Sequence, residues 1–164
     1  MTRKTPRIRL GFTFLLFNAL LFIFRSGGII LSFYAACLIH ELGHIAAIRL
    51  TGGCVREISL SFLGIKISAD PAATRAKGIL VLLCGPAANL ISGWICLKLG
   101  IFGFFARFSI AEGIFNLLPL SCLDGGAVLD IILQGRRHEK PLKIAAKLIF
   151  LPPVLLYMLL FIKY

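Results

Sequence analysis

Long apolar runs separated by short polar stretches dominate the chain. Leu10 to Phe24 is uncharged and ends at Arg25, Gly28 to Leu50 holds only Glu41, Arg49 and the histidines His40 and His44 as acidic or basic groups, and Gly78 to Leu99 carries no charge before Lys98. At about 1.5 Å rise per residue the second and third runs are long enough to cross a bilayer. Ile101 to Gln134 is less regular. Pro119 removes a backbone donor and crowds the preceding turn, and Gly125 and Gly126 loosen the chain again, so one broken helix is predicted there. A last apolar run, about Ile144 to Ile162, follows the polar loop Gly135 to Lys143. The prediction is an all-α polytopic membrane protein, a single domain over 1–164, with about five transmembrane helices near 10–25, 28–50, 78–99, 101–134 and 144–162.

One segment breaks the helical pattern. In Val55 to Ser68, Ile58, Leu60 and Phe62 alternate with Ser59 and Ser61, and Ile65 and Ile67 alternate with Lys66 and Ser68. A period of two predicts strands, and Gly64 at the change of phase predicts a turn or bulge. A small β-hairpin on the membrane surface is expected between the second and third spans.

Composition agrees: 59% of the 164 residues are apolar and 15% charged, too little polar surface for a soluble domain of this size. The net charge of +11, from 18 Lys and Arg against 7 Asp and Glu, is spread between the apolar runs and forms no continuous basic face, so nucleic-acid binding is not expected. Topology explains it better. With the N-terminus inside, 14 of the 18 basic residues fall on the inner side and Arg25, Lys98, Arg107 and Lys163 on the outer, the asymmetry expected of a five-span protein with a cytoplasmic N-terminus. No small-x-small cleavage site follows the first run, so a short retained span is expected there in place of a signal peptide. The five cysteines are an odd set without a C-x-x-C pair, which fits neither a disulfide framework nor a zinc knuckle.

Ionisable groups inside a membrane span are costly and call for a function. In His40-Glu41-Leu42-Gly43-His44 the two imidazoles lie one helical turn apart, so both can face one metal ion with a carboxylate adjacent. In a shuffled chain of this composition H-E-x-x-H would arise on the order of once per thousand sequences. The arrangement suits a catalytic zinc, one per chain, with Glu41 taking a proton from water and returning it to the leaving amine. A third protein ligand is needed. His138 sits among Arg136, Arg137 and Lys140, where like charge disfavours a cation; Cys122 is a weaker candidate than Asp124, which precedes two glycines that allow close approach. His40 and Asp124 each lie ten residues before an expected inner helix end, Leu50 and Gln134, and so both sit about 15 Å deep. A simple N-capping role for Asp124 is the competing explanation.

These motifs, together with Gly85-Pro86-Ala87-Ala88-Asn89 and the run Asn116-Leu117-Leu118-Pro119-Leu120-Ser121-Cys122-Leu123-Asp124-Gly125-Gly126, resemble the site-2 protease family of intramembrane zinc metalloproteases, peptidase family M50. The resemblance covers about Gly28 to Gln134 and looks most like the compact branch that contains the stage IV sporulation factor B protease. It implies that His40, His44 and Asp124 hold zinc, that Glu41 is the general base, and that Asn89 and Asn116 are polar helpers near the scissile peptide. Interhelical hydrogen bonding is the plainer role for either Asn. Cys122 and Ala127 depart from the family's frequent proline or aliphatic residue and arginine, which bears on substrate choice more than on chemistry. The function implied is regulated cleavage of a membrane-tethered protein in a bacterial cell membrane, with a membrane-protein regulator as a further expected partner. An inactive relative that binds zinc or a client without cleavage and a metal-ion transporter are the alternatives.

Overall fold

The computed structural model describes residues 27–61, 64–70 and 74–135, the backbone of 7–10, and helical residues 140–145, 148–149 and 152. The second predicted span is α1, Gly27–Leu50, and the third is α2, Arg75–Leu99. Both are long and apolar enough to cross a membrane, and only 22% of the most apolar stretch of each is buried within the protein. The core helix of a soluble protein would hide most of its length. Here Leu31, Leu50, Trp94 and Leu99 are between 59% and 88% exposed, which suits contact with lipid.

Local chemistry sets the ends of these helices. At the end of α1 the Thr51 hydroxyl donates to Ala47 O, Gly52 turns left-handed at φ 83°, and Gly53 N–H donates to Ile48 O. Thr74 caps α2 by accepting from Lys77 N–H, so the helix begins three residues before the apolar run that predicts it. At its other end Gly100, at φ 66°, turns its N–H onto Cys96 O and Leu97 O. After a tight reversal through Phe102, α3 (Gly103–Asn116) returns along α2. A Cβ at Gly93 would meet Ala106 O and Ser109 Cβ, and one at Gly113 would meet Pro86 O and Leu90 Cγ, so the two helices run antiparallel in a seam of small residues.

The expected broken helix is two helices, α3 and α4 (Asp124–Leu133), joined by the turn 117–123. The predicted hairpin is present as β2 (Val55–Ser61) and β3 (Gly64–Ala69), antiparallel from Val55↔Ala69 to Ser61↔Gly64 with a bulge near Val55 and Glu57. Arg56 and Asp70 form an ion pair across its open end. A third strand was not predicted. β1 (Arg7–Leu10) pairs parallel to β2, in the sheet order β1-β2-β3. Leu10 therefore belongs to a strand and not to the first predicted span, whose remainder, 11–25, lies outside the described residues. Residues 140–145 are helical, so this helix begins inside the predicted loop Gly135 to Lys143 and runs into the predicted last span. Pro141 is tolerated there because a first helical turn needs no N–H from it. Lys143 Nζ lies 2.7 Å from Asp130 Oδ1 and ties this segment to α4.

Candidate metal centre

The His40–Glu41–Leu42–Gly43–His44 segment lies mid-helix in α1, where one helical turn brings the two buried imidazoles to one face. Close approach to α2 completes their setting. A Cβ at Gly43 would collide with the Cys84 carbonyl and the Ala88 methyl, and a Cβ at Gly85 would occupy the space of the His44 ring. The absence of side chains at both positions lets His44 Nδ1–H donate to Val81 O at 2.9 Å. That bond fixes the tautomer and leaves Nε2 with a free lone pair.

Asp124 arrives from the other side of the site. It opens α4, whose N-cap Leu123 makes no side-chain capping bond, and the Asp124 carboxylate turns to the histidines and not to its own backbone. The turn 117–123 folds tightly onto this end, since Cβ atoms at Gly125 and Gly126 would strike the carbonyls of Leu117 and Leu120. Asp124 Oδ2 lies 3.0 Å from His40 Nε2 and 3.1 Å from His44 Nε2, and the two Nε2 atoms are 3.1 Å apart. Adjacent ligands of one tetrahedral zinc with bonds near 2.05 Å are separated by about 3.3 Å. With the His44 proton on Nδ1, its bare Nε2 faces a carboxylate oxygen, two acceptors that call for a cation between them. The donor set and its spacing therefore fit one small divalent ion, and these three residues are the group that could hold one among the described residues.

The other predicted residues fall as follows. Glu41 is half-buried beside the pair, one residue from His40. Asn89, fully buried, has its amide 3.4 Å from His40 Nδ1, on the opposite edge of that ring from Asp124. Asn116 is half-buried at the end of α3 and donates to Glu112 O one turn earlier. Cys122 is exposed in the turn, and His138 lies outside the described residues. Glu112 and Arg107, five residues apart on α3, do not pair. Arg107 is exposed, and the Glu112 carboxyl faces the Cys37 thiol and the Asn89 amide. Val81 was not singled out in the sequence and Gly85 entered only as part of the Gly85-to-Asn89 run, although with Asn89 they recur every four residues along one face of α2, the signal that could have found Val81.

Comparison with known proteins agrees with this picture. The model for peptidase family M50 matches residues 98–160, which include Asn116 to Gly126 and exclude the His40–His44 helix. A Mycobacterium tuberculosis protein named as a zinc metalloprotease, Rip3, is 29% identical over 128 residues, 69% of this chain and 32% of its own, in each of two strains. The chain thus spans about a third of the length of the curated relatives it matches. In fold, the site-2 protease from Methanocaldococcus jannaschii is similar with a TM-score of 0.69 and 22% identity, covering 96% of this chain and 85% of that one.

Proposed function

Since the chain belongs to the site-2 protease family, peptidase family M50, we propose that it is an intramembrane zinc metalloendopeptidase that cuts a membrane-tethered protein within its span. The observation that carries this reading is the meeting of His40 and His44 of one apolar helix with Asp124 of another around a single point. His40 Nε2, His44 Nε2 and Asp124 Oδ2 would hold one zinc ion, leaving a fourth position open. Zinc bound there would supply a Lewis acid that ionises water near neutral pH and polarises the scissile carbonyl.

The remaining steps belong to the chain itself. Glu41 takes the proton released from water and hands it to the departing amine, a transfer worth typically 10²–10⁴-fold. Asn116, half-buried where α3 ends above the turn, is the better placed of the two amides to donate to a substrate carbonyl. Asn89 is buried behind His40, which favours support of that ligand over contact with substrate. A helical substrate must unwind before its carbonyls become accessible. Both edges of β2 are taken, by β1 and β3, so we assign the pairing of an unwound segment to the outer edge of β3. We assign the sheet and the N-terminus to the cytoplasmic side, in keeping with the basic residues of β1 and of the loop 49–77.

The test compares wild type with Glu41→Gln, each reconstituted in vesicles with single-span reporters carrying a helix-weakening Gly-Pro pair in the inner half of the span. The expected result is equal zinc content with cleavage reduced at least 10²-fold. Equal cleavage would remove Glu41 from the chemistry. Zinc uptake into the vesicles without cleavage would favour transport, and zinc binding with neither would favour an inactive client-binding relative.

A further inference from the structure

The ligand set leaves a second group of polar side chains unexplained, directly behind it. In the seam between α2 and α3, Asn89 Oδ1, Ser109 Oγ and Glu112 Oε2 are buried without a hydrogen-bond partner among the described residues. Asn89, Pro86 and Ser109 are the largest fully buried side chains described. No water from the bilayer reaches such groups, so an unpaired amide oxygen there asks for a structural reason.

The reason lies in His40. If His40 Nε2 offers its lone pair to a cation, the ring proton sits on Nδ1 and the group facing it must accept a hydrogen bond. The group facing it is the Asn89 amide, with its NH2 end 3.4 Å away. That would set one N–H donor against another while the carbonyl end stays orphaned. A half-turn of the amide exchanges its two ends, which are nearly equal in size and differ in their hydrogen bonding. After the exchange, Oδ1 accepts from His40 Nδ1–H and the orphaned oxygen is satisfied. The two ligands then match: His44 Nδ1–H is held by the Val81 carbonyl at 2.9 Å, and His40 Nδ1–H by an amide carbonyl from the same face of the same helix. Glu112 faces this amide from α3, and its carboxyl has no arginine or lysine partner among the described residues.

We infer that Asn89 and Glu112 form an outer support of the metal centre, Asn89 Oδ1 accepting a hydrogen bond from His40 Nδ1–H and Glu112, as a neutral carboxyl, donating to the same oxygen and so holding the amide in that orientation. The inference rests on the reading of His40, His44 and Asp124 as metal ligands. Both are positioning residues, since Asn89 is 0% exposed and acts on the metal only through the imidazole.

The test uses the full chain in detergent micelles, with zinc affinity measured by competition with a chromophoric chelator and ligand geometry read from the visible spectrum of the cobalt-substituted protein. Loss of a hydrogen-bond partner behind a metal-ligating histidine typically weakens metal binding about 10–100-fold. That loss, with a shifted cobalt spectrum, is expected for Asn89→Leu, and a smaller loss of about tenfold for Glu112→Leu. Glu112→Gln should stay close to wild type, because the amide replaces the hydrogen bond. Ser109→Ala, which removes a hydroxyl from the same seam, should also leave affinity unchanged. Wild-type affinity and spectrum in Asn89→Leu would overturn the inference, as would an equal loss in Ser109→Ala, which would point to seam packing. If Asn89→Leu fails to fold, the two Glu112 variants carry the comparison, and equal damage in both overturns it. Wild-type protein that holds no zinc, or His44→Ala that holds it equally well, would instead refute the ligand assignment.

Discussion

Gly85→Ala should separate the metal site from the fold. A methyl at this position would lie 2.5 Å from His44 Cε1 and 2.8 Å from Cδ2, with Nε2 closer still. Carbon contacts need about 3.5 Å, so the imidazole must move by nearly 1 Å. It cannot do so and keep its hydrogen bond to Val81 O, and the Nε2 atom that shifts is the one 3.1 Å from Asp124 Oδ2. Three terms bear on stability. Overpacking costs about 1–3 kcal/mol, the lost hydrogen bond about 0.5–1.5 kcal/mol, and replacing a mid-helix glycine by alanine returns about 1 kcal/mol. The net penalty of a few kcal/mol at most leaves a protein that folds. A metal site, by contrast, tolerates about 0.2 Å in its ligand distances, and a misplacement near 1 Å at a reacting centre can cost about 10²-fold. Zinc per chain after desalting and cleavage of a tethered reporter are the readouts, beside the thermal transition of the protein without metal. Gly103→Ala, at an open position, is the control. A Gly85→Ala protein with full zinc and wild-type cleavage would show that the α1–α2 approach does not set the position of His44.

Other expectations follow from the same geometry. Prolonged chelation should abolish cleavage and added zinc should restore it; cleavage that survives a measured loss of metal would exclude metal-dependent hydrolysis. Ile65→Pro in β3 should slow cutting of an intact helical reporter while zinc content stays at the wild-type level, because proline removes a backbone donor from the sheet; unchanged cutting at normal expression would dispose of strand pairing. Asp130→Asn should alter thermal stability by under about 1 kcal/mol, since the pair with Lys143 is part-exposed and its attraction is largely screened; a large loss would mean that this contact anchors the last helical segment.

The legible parts of the molecule are those with a short period. His40 and His44 needed only the helical turn, and β2 and β3 only alternation, so both were read from the chain at nearly their observed bounds. Asp124 required one further step, the matching of depth in two helices, and the two helices end at Leu50, as that match assumed, and at Leu133, one residue before the assumed Gln134. The β1 strand carried the same alternation in Arg7-Ile8-Arg9-Leu10, but its arginines also read as a basic tail, and a parallel pairing across fifty residues leaves no local mark. Glu112 left no mark for a different reason. Its spacing from Arg107 does not show that the two point to different sides of α3, one to the outside and one into the seam.

The small residues explain why the site forms where it does. Within lipid, apolar side chains gain little by leaving one hydrocarbon surface for another, so helices associate where their backbones can approach closely. Gly43 and Gly85 permit this between α1 and α2, and Gly93 and Gly113 between α2 and α3. α2 is therefore held on two sides, and one of its faces supplies Val81 O and Asn89 to the two histidines of α1. A bulkier residue at any of these glycines would move a whole helix, and the imidazoles would lose their outer partners before the fold lost its topology. Selection for a working centre would then fall on residues that never touch metal or substrate, and the seams, more than the ligands, would fix how far the site can vary.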